Sequence, residues 1–179
     1  MSTDDKAALA IAYNAARLSP DPRTQVGAYV ISAVEGSSYR AAIGHNRAVR
    51  GVAIDWNDPT HKDDYVHHAE EAAIYSASAH GIKTWGATLY CPWSACLRCA
   101  RTISGAKVRR VVGHRDLMRF SSEVNSKWTS TIAKSLQVLA NAGVQCDWVS
   151  GPVTAGPIRH AGYVWDPSTC TGHKIGDKP

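Results

Sequence analysis

The chain has 179 residues, enough for one domain with a sizeable core, and carries a formal net charge of +5. No stretch of about 18 apolar residues occurs, and the start, Met1-Ser-Thr-Asp-Asp-Lys6, lacks the basic and apolar runs of a signal peptide, so a soluble, cytoplasmic protein with no membrane partner is expected. Five cysteines, an odd number, argue against a disulfide framework and agree with a reducing compartment. The positive charge favours anionic partners, nucleotides and nucleic acids alike, but no basic run of five or more appears. The densest set, Lys107, Arg109 and Arg110, sits among valines as on a strand face, so most of the charge reads as solvated surface with a minority free to meet phosphate.

In chain order, residues from about Asp4 to Leu18 form a first helix, since Ala8, Ile11, Ala12, Ala15 and Leu18 recur at three- and four-residue steps. Ser19-Pro-Asp-Pro22 ends it. Gln25–Ile31 and Tyr39–Ile43, rich in β-branched and aromatic residues and separated by the turn Glu35–Ser38, read as a hairpin. A loop follows from about Arg47 to Asp63, long enough to be functional or mobile. A helix from Tyr65 to about His80 comes next, with Gly81 to cap it.

Ala87–Cys91 reads as a central strand, Cys96–Ser104 as a helix, Val108–Gly113 as a strand, Ser121 to about Asn141 as a helix, and Val144–Val149 as the last strand. Strand–helix alternation after residue 86 predicts right-handed parallel crossovers, with helices packed on both faces of the sheet. Residues 1–150 form that domain. Residues 151–179 are so punctuated by Gly and Pro that an irregular extension is expected, packed in part through Tyr163 and Trp165, with a disordered tail from about Thr171.

Two short stretches carry the chemistry. His68-Ala-Glu70 and, 28 residues on, Cys96-Leu-Arg-Cys99 supply one imidazole and two thiolates, a set that binds Zn²⁺ and leaves a tetrahedral ion one open position. Cys96 and Cys99, three apart on a helix, share a face, and the helix N-termini at both stretches favour thiolate. Glu70, two residues past the histidine, reaches beyond the ion as a proton carrier rather than a ligand. Alone, either motif is weak; their order and separation and the strand before the second make the signal. A structural zinc, or unmetallated core cysteines, is the plain alternative. His67 projects about 100° away from His68 on a helix. His61 or His67 could serve a second metal, against the plainer reading of exposed or hydrogen-bonded imidazoles. Cys91, Cys146 and Cys170 read as ordinary thiols.

Several stretches together resemble the deoxycytidylate (dCMP) deaminase family within the zinc-dependent cytidine deaminase superfamily. They are Ser19-Pro-Asp-Pro-Arg-Thr-Gln-Val-Gly27, the loop Gly44-His-Asn-Arg-Ala-Val-Arg-Gly-Val52, Tyr65-Val-His-His-Ala-Glu70, and Leu89 to Ala100. The resemblance covers residues from about 5 to 149 and implies a cytidine deaminase-like fold, an α/β, three-layer α/β/α sandwich around a central mixed five-stranded sheet, with one catalytic zinc per subunit, hydrolysis of dCMP to dUMP and ammonia, and a homo-oligomer with dCTP and dTTP as effectors. His45, Arg47 and Val49 depart from the family's effector-linked loop, Ala72 stands where the family has Asn, and Ala95 replaces a proline whose loss is expected to loosen the turn before Cys96.

The resemblance implies that His68, Cys96 and Cys99 hold zinc and that Glu70 moves protons between water, ring N3 and the leaving amine. It makes Asn46 the candidate for the sugar hydroxyl, with a turn-forming role as the alternative. Arg23, Thr24 and Arg50 become phosphate candidates, each equally at home on the surface. Tyr65 and Trp93, with Ala69 beside the ligand, are candidate walls of the base pocket, or plain core. Another zinc deaminase, acting on dCTP, a nucleoside or a nucleic-acid base, shares the same metal motif, and a non-catalytic zinc-stabilised nucleotide sensor is the rival outside enzymes. A stable nucleic-acid partner is not expected, because no continuous basic or aromatic groove signal appears.

Overall fold

The β-branched segments assemble the expected mixed five-stranded sheet, seen here in a computed structural model that describes residues 3–34, 38–125 and 129–177. Strand β1 (Gly27–Val34) pairs antiparallel with β2 (Ser38–His45) on one side and with β5 (Thr88–Tyr90) on the other. β6 (Arg110–His114) and β7 (Gln145–Val149) then add in parallel, giving the order β2-β1-β5-β6-β7. Residues 35–37 of the expected turn lie outside the described residues.

Successive strand residues point to opposite faces, and that alternation divides the core in two. Leu89 and Val111 join one buried cluster, beneath α3 (Ala69–Ala79), α4 (Leu97–Gly105) and α6 (Thr129–Asn141). Tyr90 and Val112 join the other, beneath α1 (Thr3–Ala16) and α5 (Arg115–Val124). The result is the expected three layers.

Glycines set how closely two helices approach the sheet. A Cβ at Gly27 would lie 2.1 Å from the Ala12 carbonyl oxygen in α1, and one at Gly44 would lie 2.2 Å from the Ala73 nitrogen and 2.4 Å from the Ala69 oxygen in α3. The first turn of α3 thus rests directly on β2. At the far side Asp5 is locked to Arg110 by two contacts of 2.8 and 3.0 Å, and Arg110 also donates to Asp147 at 2.6 Å. Arg110 is therefore an internal tie between α1, β6 and β7 rather than a solvated charge, and it holds the Asp5 carboxyl below its usual range.

Four segments depart from the sequence reading. The long loop holds β3 (Arg47–Ala48), paired with β4 (Val66–His67), and a seven-residue helix, α2 (Pro59–Tyr65), started by Asp58 as N-cap with Pro59 after it. The helix carrying Glu70 consequently begins at Ala69, not Tyr65. The helix expected from Ser121 to Asn141 is two: α5 starts at Arg115, straight from β6, and stops where Asn125 leaves helical backbone at φ −155°. The extension is not irregular: β8 (Ile158–His160), β9 (Tyr163–Asp166) and β10 (Thr171–Lys174) form an antiparallel sheet of their own.

This small sheet is fastened to the domain by Trp165, 1% exposed. Trp165 Nε1 donates to the Tyr13 hydroxyl at 3.1 Å, which lies 2.6 Å from His114 Nδ1; His114 Nε2 reaches the Gly151 carbonyl at 3.1 Å. Among the described helices none is long and apolar enough to cross a membrane.

Candidate functional site

Two helix starts converge at one point. His68 is the N-cap of α3 and Cys96 that of α4, both with extended backbone (ψ 157° and 172°). Residues expected inside the first helical turns therefore stand just before them, where side chains are free to turn toward each other. His68 Nδ1 lies 3.4 Å from Cys96 Sγ and 3.3 Å from Cys99 Sγ, and the three ligand atoms fall within 4.8 Å of one another. A tetrahedral zinc with ordinary bond lengths needs N–S edges of about 3.6 Å, so the donor set fits that ion in kind and in spacing.

The surroundings divide the charge between the two thiols. Cys99 donates to Cys96, and this hydrogen bond, against burial and helped by His68, lowers the Cys96 thiol; the same bond, with burial, pushes Cys99 up, so without an ion the pair carries its negative charge on Cys96. Burial disfavours charge on His68, but Cys96 and Glu70 outweigh it and raise its pKa. Glu70 is 4% exposed, and desolvation raises its carboxyl to about 7, opposed by His68. A carboxyl that exchanges its proton near neutrality suits general acid–base work.

The turn before Cys96 is not loosened by Ala95. Ser135, fully buried on α6, donates its hydroxyl to the Ala95 carbonyl at 2.6 Å and holds the turn from behind.

His68, Glu70 and Cys96 open onto a cavity of about 140 Å³, with Ala69, Val66 and Trp93 along its walls. Cys99 sits behind them, fully buried. At the other end lie Asp21, Thr24, Asn46 and Lys62. Asn46 Oδ1 accepts from Val26 N at 2.8 Å, while Nδ2 donates to the Thr24 carbonyl at 2.9 Å and to Asp21 Oδ2 at 3.4 Å. Its amide group is thus spent inside the protein, which supports the turn-organising role.

Three candidates lie elsewhere. Arg23 and Arg50 are exposed and do not line the cavity, and Tyr65, 42% exposed, packs edge-on against His61. The cation that does line it is Lys62, 2.6 Å from Asp21. Lys62 was hidden in the stretch read as loop; the Asp58-Pro59 pair, an N-cap followed by a helix-starting proline, was the signal for α2. Asn125, His160 and Ala161 close the cavity and had no sequence signal.

Neither His61 nor His67 joins a metal-capable group among the described residues; the second such group is His114, Asp116 and Cys170. There the hydrogen bonds already close. Tyr13 donates to His114 Nδ1 and Nε2–H donates to Gly151, so every polar hydrogen has an acceptor and Nε2 has no lone pair to offer.

The comparisons with known proteins agree with this geometry. Residues 2–115 match the family model described as the cytidine and deoxycytidylate deaminase zinc-binding region. The human deoxycytidylate deaminase is 29% identical over 126 residues, covering 66% of this chain and 68% of that protein, and the mouse protein gives the same figures. The dCMP deaminase of cyanophage S-TIM5 shares the fold with a TM-score of 0.61 at 23% identity, over 83% of this chain and all of that one; it has also been crystallised with dCMP and dUMP. A deaminase/reductase of Thermotoga maritima aligns with a TM-score of 0.53 at 21% identity, over 80% of this chain and 36% of that one. With the donor set in place and the family model spanning more than half its length, the chain belongs to the zinc-binding family of cytidine and deoxycytidylate deaminases.

Proposed function

We propose that the protein hydrolyses dCMP to dUMP and ammonia, with one zinc held by His68, Cys96 and Cys99 in each subunit. The observation that carries this is the placement of Glu70, buried, on the same cavity as His68 and Cys96. When bound, the zinc lowers the pKa of a water molecule and polarises it for attack. Glu70 takes a proton from the attacking water and passes it to ring N3, which leaves C4 electron-poor. Oxygen bonds to C4, Glu70 moves the remaining proton to the exocyclic amine, and the C4–N bond breaks to release ammonia.

The opposite end of the cavity supports a nucleotide rather than a bare base. Lys62 is the one Lys or Arg lining it among the described residues, and a phosphate there would compete with Asp21 for its ammonium. The cavity walls are Ala69 and Trp93, with Thr24 toward the phosphate end and Asn46 beside it. Free thiols at all five cysteines suit a reducing cytoplasm.

Ammonia release from deoxycytidine, dCMP, dCTP and single-stranded DNA, measured side by side with zinc content, tests the reading. Preference for dCMP at one zinc per chain is expected; equal turnover of the nucleoside, or turnover of DNA alone, would replace the substrate. Adding dCTP or dTTP to the same assay, with light scattering on the free protein, reads effector response and homo-oligomeric assembly.

A further inference from the structure

The cavity has a wall that lies beyond the family match, which ends at residue 115. It is the tip of the hairpin β8–β9, where His160 faces Tyr163 and only Ala161 and Gly162 make the turn. Both turn residues have positive φ, 54° and 85°, the backbone of a type I′ turn. That conformation is natural for Gly and strained for Ala, and strain held in place by surrounding contacts is a mark of functional sites.

Most of the hydrogen bonds that hold it go to one segment, residues 21–25, with Ile175 N donating to the Gly162 carbonyl at 3.1 Å from the other side. Arg159 exchanges hydrogen bonds with Gln25 at 2.7 and 3.0 Å, and its guanidinium donates twice to the Asp21 carbonyl, at 3.1 and 3.0 Å. Ala161 N donates to Thr24 Oγ1 at 3.3 Å, and Gly162 N to the Arg23 carbonyl at 3.0 Å. The hairpin tip is thus stitched to the stretch that supplies the phosphate end of the cavity.

His160 sits inside this wall, 1% exposed, with its ring edge-on to Trp93 at 5.1 Å. Nε2 pairs with the Ser121 hydroxyl at 3.0 Å, but Nδ1 is buried with no hydrogen-bond partner in the protein. A buried polar atom left unpaired is costly, and this one belongs to a residue lining the cavity. Burial holds the imidazole at about 4, so it is neutral at physiological pH and suited to an uncharged partner rather than to phosphate.

Resting on the dCMP reading above, we infer that the hairpin tip is part of the substrate site and that His160 is a specificity-determining residue. Its Nδ1 bonds an uncharged oxygen of the nucleoside moiety, a sugar hydroxyl or the base carbonyl. The contact is completed as the substrate seats against the wall.

Three variants test it: His160→Gln keeps a group for Ser121 and removes the Nδ1 position, His160→Asn keeps the Nδ1 position, and His160→Phe fills the space with neither. With zinc content and thermal midpoint as controls, H160Q and H160F are expected to lower kcat/KM for dCMP by about 10- to 100-fold, chiefly through KM, and H160N to recover most of it. A loss seen with dCMP and deoxycytidine but absent with the 2′,3′-dideoxy nucleotide places the contact on the sugar; a loss with all three places it on the base. A loss confined to dCMP would mean a phosphate contact and overturn the inference, as would a folded, zinc-loaded H160Q within threefold of wild type. Calorimetric binding of dCMP separates the two readings. Weaker binding to H160Q with no turnover by either protein would sink the deaminase reading and uphold the contact; equal binding with normal wild-type turnover would do the reverse. H160F decides where H160Q does not fold.

Discussion

Arg98 grips Glu71 with two nitrogens, Nε at 2.8 Å from Oε1 and Nη2 at 2.8 Å from Oε2. The same carboxylate accepts from His68 N at 3.3 Å, and Arg98 Nη1 donates to the Asp63 carbonyl at 3.2 Å. One buried side chain therefore joins the N-cap of α3 to a residue lying between the two cysteines of α4. The pair sets the distance between the imidazole and the thiols without touching either.

Replacing Arg98 with Met is expected to weaken zinc binding about 10- to 100-fold, the range found for groups that orient metal ligands. Arg98→Lys should restore little, since an ammonium cannot hold both carboxylate oxygens in the same plane. The rate of zinc loss to a chelator, with far-UV circular dichroism to confirm the fold, measures the effect. Wild-type chelation kinetics in R98M would show that the clamp does not position the site.

Glu70→Gln preserves shape and removes the carboxyl proposed to carry protons. Zinc content should stay at the wild-type value while turnover of dCMP falls about 10²- to 10⁴-fold. Metal analysis and ammonia release on one preparation separate the two effects, and normal turnover in E70Q would remove Glu70 from the mechanism.

Backbone geometry predicts two opposite stability changes. Gly44→Ala would drive a methyl into the backbone of α3, whose first turn carries Glu70, so a loss of about 1–3 kcal/mol is expected together with a fall in activity. Lys107 holds φ at 58° and does not line the cavity, and Lys107→Gly should raise stability by about 1 kcal/mol with activity unchanged. Denaturant melts of both variants check the signs.

The acid limb of stability has a nameable source. Burial lowers the pKa values of His160 and His114 below their unfolded ones, so their contribution is complete above about pH 6.5 and is lost as pH falls. For His160, at about 4, the loss amounts to at most about 3 kcal/mol. Glu70, raised to about 7, acts with the opposite sign in the same window, so the informative quantity is the difference between wild type and H160Q. That difference should shrink steadily from pH 6.5 to 4.5; a constant difference would mean that His160 is not held neutral. Asp5, lowered by Arg110, acts only below about pH 4.

The sequence made the candidate metal donors legible because His68, Cys96 and Cys99 are rare residue types at a telling spacing, and the five strands legible because Val-rich runs stand between turn residues. The helix starts were displaced, by one residue at Cys96 and by four before His68, because an N-cap has extended backbone while its neighbours have helical composition. The small sheet was missed for a different reason. Its strands are three or four residues long, and its turn is Ala161-Gly162 rather than the Asn-Gly that announces a hairpin. Which cation faces the cavity was not legible at all: Arg23 and Lys62 are alike in composition and differ only in the direction the folded backbone gives them.

The bond from Trp165 to Tyr13 joins residues 152 positions apart. During synthesis the first helix must therefore wait, its hydroxyl and the ring of His114 wetted by solvent, until a segment made much later comes to cover them. A nascent chain stalled before that segment would present a half-closed core to chaperones and proteases, and would lack one side of the pocket in which its chemistry is to happen.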